Sequence, residues 1–171
     1  MESIINFIID LFSNIVGLKY GKEVIVFLIS LFPILELRGG LLAASLFGMS
    51  PLKSYIICII GNVIPVPFIL LFINKIMVWM SKSNIKWMYK FSNWLYNKAE
   101  KNKSTIEKYG YLGLTLFVGI PLPGTGAYTG CLIASVLNMD RKKSFWYTLL
   151  GIIMASIIMM LVSFGILKKL I

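Results

Sequence analysis

The chain has 171 residues, of which 58% are hydrophobic and only 14% charged. Soluble domains carry about 25% charged residues and disordered chains are poor in apolar ones, so both classes are excluded and an integral membrane protein remains. Lys and Arg number 17 against 7 Asp and Glu, a net charge of +10. These basic residues flank apolar runs instead of forming a folded basic face. They therefore point to membrane orientation and anionic lipid headgroups, with no nucleic-acid partner.

The N-terminus opens with Glu2, carries Asp10 inside its apolar run and lacks a small-x-small cleavage site. It is expected to be inserted uncleaved. Residues 3–18 have helical apolar spacing, with Asn6, Asp10 and Asn14 every fourth residue. This polar stripe suits a helix in the interface or packed in a bundle, and a short span stays open. Residues 24–32 are apolar but cover only about half of a ~30 Å hydrocarbon core. PILELRGG (33–40) interrupts them, and a second short arm, LLAASLFGM, follows at 41–49. An arm, a Pro/Gly break and another arm read as a re-entrant hairpin. Residues 54–74 are long enough to span, with Pro65 and Pro67 expected to bend the helix by removing hydrogen-bond donors.

The segment 76–110 is rich in Lys and Trp. Trp87, Phe91, Trp94 and Leu95 recur at helical spacing, with Lys82, Lys86 and Lys90 nearby. It reads as an amphipathic helix on an anionic membrane face, or as a solvated helical linker. Then come a short arm at 111–119, the break IPLPGTGAYTG at 120–130, an arm at 131–139, the charged stop DRKK and a span at 144–167.

The halves 24–75 and 111–167 thus share one order of elements. An ungapped offset of 90 pairs Pro33 with Pro123, Gly40 with Gly130, Ala44-Ser45 with Ala134-Ser135, Met49 with Met139, Lys53-Ser54 with Lys143-Ser144, and Gly61 with Gly151. A hairpin that returns to its own side plus one span makes an odd number of crossings, so the second repeat is inverted relative to the first. The expected fold is an all-α multi-pass protein of the cell membrane: one membrane domain of two inverted repeats joined by the basic helix. The positive-inside rule makes 76–110 cytoplasmic. The hairpins then enter from opposite faces, and their tips can meet near the midplane. So short a chain enclosing a transport path suggests a homodimer.

Glu36 and Arg38 lie in the first break, where charge is expensive and functional by default. Glu36 suits proton uptake and release, and Arg38 suits an anionic group. The Gly39-Gly40 amides are expected to open the next helical arm and add its positive end. In the second break, Pro121, Pro123, Gly124 and Gly126 permit unwound backbone, while Thr125 and Tyr128 add hydroxyls. Asn62 offers a mid-span polar partner. Each has a plainer reading: mutual neutralisation for Glu36 and Arg38, a tight turn for 121–130, and packing glue for Asn62. There is no His, and Cys58 and Cys131 sit in apolar runs, so neither a metal site nor a cofactor is expected. No positioned base or nucleotide loop indicates an enzyme.

LELRGGLLAASLFGMSP (35–51), GNVIPVPF (61–68) and GIPLPGTGAYTGCLIAS (119–135) resemble the small multidrug export protein family of bacteria and archaea. That resemblance implies export of small molecules. The two-hairpin layout is also similar to DedA-type proteins, which implies translocation of lipid phosphates and proton dependence, with Glu36 and Arg38 as the embedded acid and base. The second DedA-type Arg motif is absent from 121–130. Three readings follow: a proton-coupled transporter of an unknown small molecule or lipid; a lipid-phosphate translocase on the same scaffold; or a non-transport scaffold working through Lys82, Lys86, Trp87, Lys90 and Trp94 on membrane lipids.

Overall fold

The computed structural model describes residues 20–82, 85–122 and 124–166. The expected helix 3–18 and Pro123 fall outside the described residues. Among those described, every element is helical: α1 (Gly21–Leu31), α2 (Glu36–Leu46), α3 (Pro51–Val63), α4 (Pro65–Ser81), α5 (Lys86–Gly119), α6 (Ala127–Val136), α7 (Arg141–Met160) and a π-helical turn at Leu161–Ile166. Two stretches are long and apolar enough to cross a membrane, Pro51–Ile73 and Arg141–Gly165. Only 28% and 39% of their apolar windows are buried, so neither is the core helix of a soluble protein. Leu52, Ile56 and Ile60 on α3, and Trp146, Leu150, Ile153 and Ile157 on α7, are exposed one helical turn apart, as lipid contact requires.

The chain forms two units, residues 1–62 with 159–171, and residues 63–158. In the first, α1 packs on α2 around Ile25, Val26, Leu37, Leu41 and Ala44. Helix α1 stops at Leu31 because Phe32, restricted by Pro33, is extended (φ −78°, ψ 131°). Helix α2 stops in a Schellman turn, in which the Gly48 amide (φ 64°) bonds the Ser45 carbonyl and the Met49 amide that of Ala44. Pro51 then starts α3, a position where its missing N–H costs nothing. Lys53 pairs with Glu23, and Lys22 Nζ donates to the Phe47 carbonyl at 2.9 Å. The start of α1, the end of α2 and the start of α3 are thereby clasped together. The π-turn leaves the Ser163 carbonyl to accept from Ser45 Oγ at 2.6 Å.

In the second unit α4, α5 and α6 pack on one another, with Val66, Leu70, Met77, Leu114, Val118 and Ile133 buried. Helix α5 contains a break at Gly110 (φ 58°, ψ −133°), which divides the basic segment from the apolar arm. The arm ends at Gly119 because Ile120, before Pro121, is extended (φ −80°, ψ 121°). Helix α6 ends in the same Schellman turn, with Asn138 (φ 52°) donating to Ser135 and Met139 to Ala134. Asp140 caps α7 by accepting the Lys143 amide at 2.9 Å. The Tyr111 hydroxyl accepts the Asp140 amide, its ring stacks on Tyr147, and Lys143 lies over it at 5.9 Å.

Contacts in one unit recur in the other. A side chain added at Gly40 or Gly61 would strike Ser30, and one added at Gly130 or Gly151 would strike Val118. Gly61 also faces the Phe27 carbonyl, and Gly151 that of Thr115. The second arms and spans correspond at an offset of 90, but the first arms correspond at 88. The ungapped register is therefore corrected: Pro33 matches Pro121 instead of Pro123, because the second break has extra residues. The expected disturbance by Pro65 and Pro67 is a single interruption of the helical hydrogen bonds at Ile64, whose own angles remain helical (φ −50°, ψ −47°).

Candidate functional site

The first break places a charge where the chain gives it least room. Glu36 is the first residue of α2, buried to 5% exposure, with its backbone at φ 52°. That left-handed conformation costs a non-glycine residue about 1–2 kcal/mol. Its amide donates to the Phe32 carbonyl at 2.9 Å, which closes the turn through Pro33. Arg38, two residues on, is half-buried.

Gly39 and Gly40 do not open the helix as expected. The helix already begins at Glu36, and the Gly39 amide is bonded to the Leu35 carbonyl at 2.9 Å. Their role visible here is close approach: a side-chain carbon at Gly40 would come 2.9 Å from Cys58 Sγ, and one at Gly39 would come 2.7 Å from Leu35 Cβ. Asn62, near the end of α3, is 1% exposed, and its Oδ1 has no hydrogen-bond partner. Ser144 and Ser163 also hold buried hydroxyls without a partner, so Asn62 is one of three such groups among the described residues.

The second break carries no charge. Gly124 (φ 84°) and Gly126 (φ 137°, ψ −178°) hold angles that residues with side chains avoid, and Gly126 leads directly into α6. The Thr125 hydroxyl lies 2.9 Å from the Ile120 carbonyl and 2.8 Å from that of Leu122, so its single proton serves the turn. Pro121 and Tyr128 are partly buried. Here the tight-turn role of Thr125 is the one its hydrogen bonds display.

On the basic segment Lys82, Lys86, Lys90 and Trp94 are exposed, and Ser92 is buried. Lys103 pairs with Glu100 one turn away, and that hydrogen-bonded carboxylate raises the ammonium's pKa.

Sequence patterning missed one feature of this unit. A cavity of about 420 Å³ is walled by Ser81 of α4, by Ser92, Asn93 and Tyr96 of α5, and by Ser135 and Asn138 at the end of α6, with Met77, Val78 and Val136 as apolar walls. No contiguous run of residues marks it, because its lining is dispersed over three helices.

Residues 36–158 match the family described as "Putative small multi-drug export protein". The chain belongs to this family. The match begins at Glu36, inside the first break, and takes in the basic segment and the whole second break. No curated protein and no solved structure matches the chain. With its two long apolar helices, membership makes this a membrane protein of an export family.

Proposed function

We propose that the chain is a small proton-coupled exporter whose ionisable working groups lie in the first helical break. Glu36 takes up and releases the proton, and Arg38 holds an anionic part of the substrate. The observation that carries this reading is Glu36 itself: a buried carboxylate on a backbone that glycine would occupy without strain. Such strain persists where the side chain is needed. The unpartnered Asn62 oxygen adds a polar group in the same unit. The glycine-rich second break contributes backbone carbonyls and the freedom to rearrange.

In this reading the chain is multi-pass, each unit is a re-entrant hairpin followed by a span, and the second is inverted relative to the first. The clasps support the hairpin geometry: Lys22 ties the start of the first arm to the end of the second, and the Glu23–Lys53 and Tyr111–Asp140 contacts tie each first arm to the start of the following span. The basic segment 76–110 faces the cytoplasm under the positive-inside rule.

The test is efflux from proteoliposomes under an imposed proton gradient, with a panel of cationic and anionic dyes. Glu36→Gln is expected to lower gradient-driven flux at least tenfold while dye binding persists. Arg38→Gln is expected to weaken anionic dyes selectively. Replacing Lys82, Lys86 and Lys90 by Gln should leave flux unchanged. Full flux in Glu36→Gln overturns the coupling role. Loss of biological function only in the triple Lys variant favours a scaffold.

A further inference from the structure

We propose that the second unit binds an anionic phospholipid of the surrounding bilayer, in a site built from α4, α5, α6 and α7 and centred on Asn138 and Arg141. Three cavities lie end to end. The cavity of about 420 Å³ shares Ser135 and Asn138 with a chamber of about 130 Å³ that adds Arg141. That chamber shares Leu70 and Arg141 with a groove of about 210 Å³, where Pro67, Leu71, Phe145 and Trp146 form apolar walls beside Lys142. A polar chamber with a guanidinium next to an apolar furrow matches a lipid's phosphate and acyl chain, and the larger cavity offers hydroxyls and amides among apolar side chains to the rest of the head.

Charge selects the anion. Arg141 and Lys142 contribute cations, and no acidic residue is among the described residues lining the three spaces. Asp140 is next in sequence but lines none of the three spaces; one of its oxygens accepts the Lys143 amide. The groove also lies where a bilayer lipid would be. It runs along exposed Trp146 at the start of an apolar spanning helix, the depth at which headgroups meet basic side chains.

Two residues of the chamber differ from their counterparts in the first unit. The first unit, 90 residues earlier, has the same Schellman turn and the same helix start but uses Gly48 and Pro51. Glycine is the unstrained residue at φ near 50–60°, and Pro is favoured at a first helical position. The second unit has Asn138 at φ 52°, and it starts α7 with Arg141, a cation at the positive end of a helix. Both departures line the same chamber. The first unit thus builds the same turn and helix start without an amide or a guanidinium there, and the proposal assigns both groups to the ligand.

The experiment uses the full chain in nanodiscs, with Trp79, Trp87 and Trp94 replaced by Phe so that Trp146 reports alone. Brominated-chain phosphatidylglycerol or brominated-chain phosphatidylcholine is added to an unbrominated phosphatidylcholine bilayer. The proposal expects the anionic lipid to quench Trp146 at several-fold lower mole fraction. Asn138→Gly and Arg141→Gln should each abolish that preference. Asn138→Gly relieves the backbone, so its thermal stability should be retained or raised and misfolding cannot explain its loss. Equal quenching by the two lipids, or preference intact in both variants, overturns the proposal. Displacement of the brominated lipid by soluble glycerol phosphate would assign the chamber to a free anion and also overturn it.

Discussion

The two units build the same hairpin with different chemistry. In the first, the clasp at the base is the ion pair Glu23–Lys53; in the second, the corresponding residues are Tyr111 and Lys143, joined by a cation–π contact. In the first, the second arm begins at a glutamate with φ 52°; in the second, the glycine at the matching place has φ 137°. Geometry has been kept while charge has been moved. The first unit is strained at its break and relaxed at its Schellman turn, where Gly48 sits. The second has glycine at its break and Asn138, a residue that tolerates this region, at its turn. In the first unit the strained backbone coincides with a buried carboxylate.

Substitutions at matched positions sharpen or break this comparison. The largest stability effect is expected at Gly151→Ala, about 1–3 kcal/mol of overpacking. The added carbon would meet Val118 Cβ at 2.7 Å and the Thr115 carbonyl at 2.8 Å, neither of which can swing away. Gly61→Ala meets the Phe27 carbonyl at 2.9 Å and Ser30 Cβ at 3.0 Å, so it should cost less. Thermal unfolding in detergent orders the pair, and a reversed order would mean that the second hairpin is not the tighter.

Glu36→Gly comes next. It should stabilise the chain by about 1 kcal/mol through relief of the left-handed backbone, while proton-driven flux is lost. Parallel losses of stability and flux would make Glu36 a structural residue. Smaller still is the reciprocal exchange at the Schellman turns: Gly48→Asn should lower thermal stability, and Asn138→Gly raise it, by a few tenths of a kcal/mol. The clasps should show the smallest effect. A double-mutant cycle on Glu23 and Lys53 should give a coupling that fades with added salt, because both are solvent-accessible charges. Coupling of Tyr111 to Lys143 should fade less.

Much of the fold was legible because apolar run length and Pro/Gly punctuation are strong signals. The long apolar stretches fell where Pro51–Ile73 and Arg141–Gly165 now lie, and Pro33 and Pro121 end their arms by forcing the preceding residue to extend. The register between the halves was not legible. Identities counted without gaps favoured Pro33 with Pro123, and only the contacts of Ser30 and Val118 reveal the displacement of the first arms. Gly39 and Gly40 looked like a helix start because two glycines suggest exposed amides; in fact Glu36, an unlikely residue for φ 52°, starts the helix. The cavity escaped notice because its lining is dispersed over three helices, and hydropathy drew attention to the Lys and Trp of the basic segment instead. Glu36 and Asn62 were singled out because polar groups are costly within apolar surroundings, and both are buried.

The most direct test of the proposed inversion of the second repeat is sidedness at a matched pair. Single cysteines at Leu52 and Lys142, both exposed and 90 residues apart, would be placed in a chain with Cys58 and Cys131 replaced by Ala. Intact cells would be treated with an impermeant maleimide before and after permeabilisation. The account predicts that position 52 labels at once and position 142 only after permeabilisation. Labelling of both from the same side would contradict the inversion and remove the main support for alternating access.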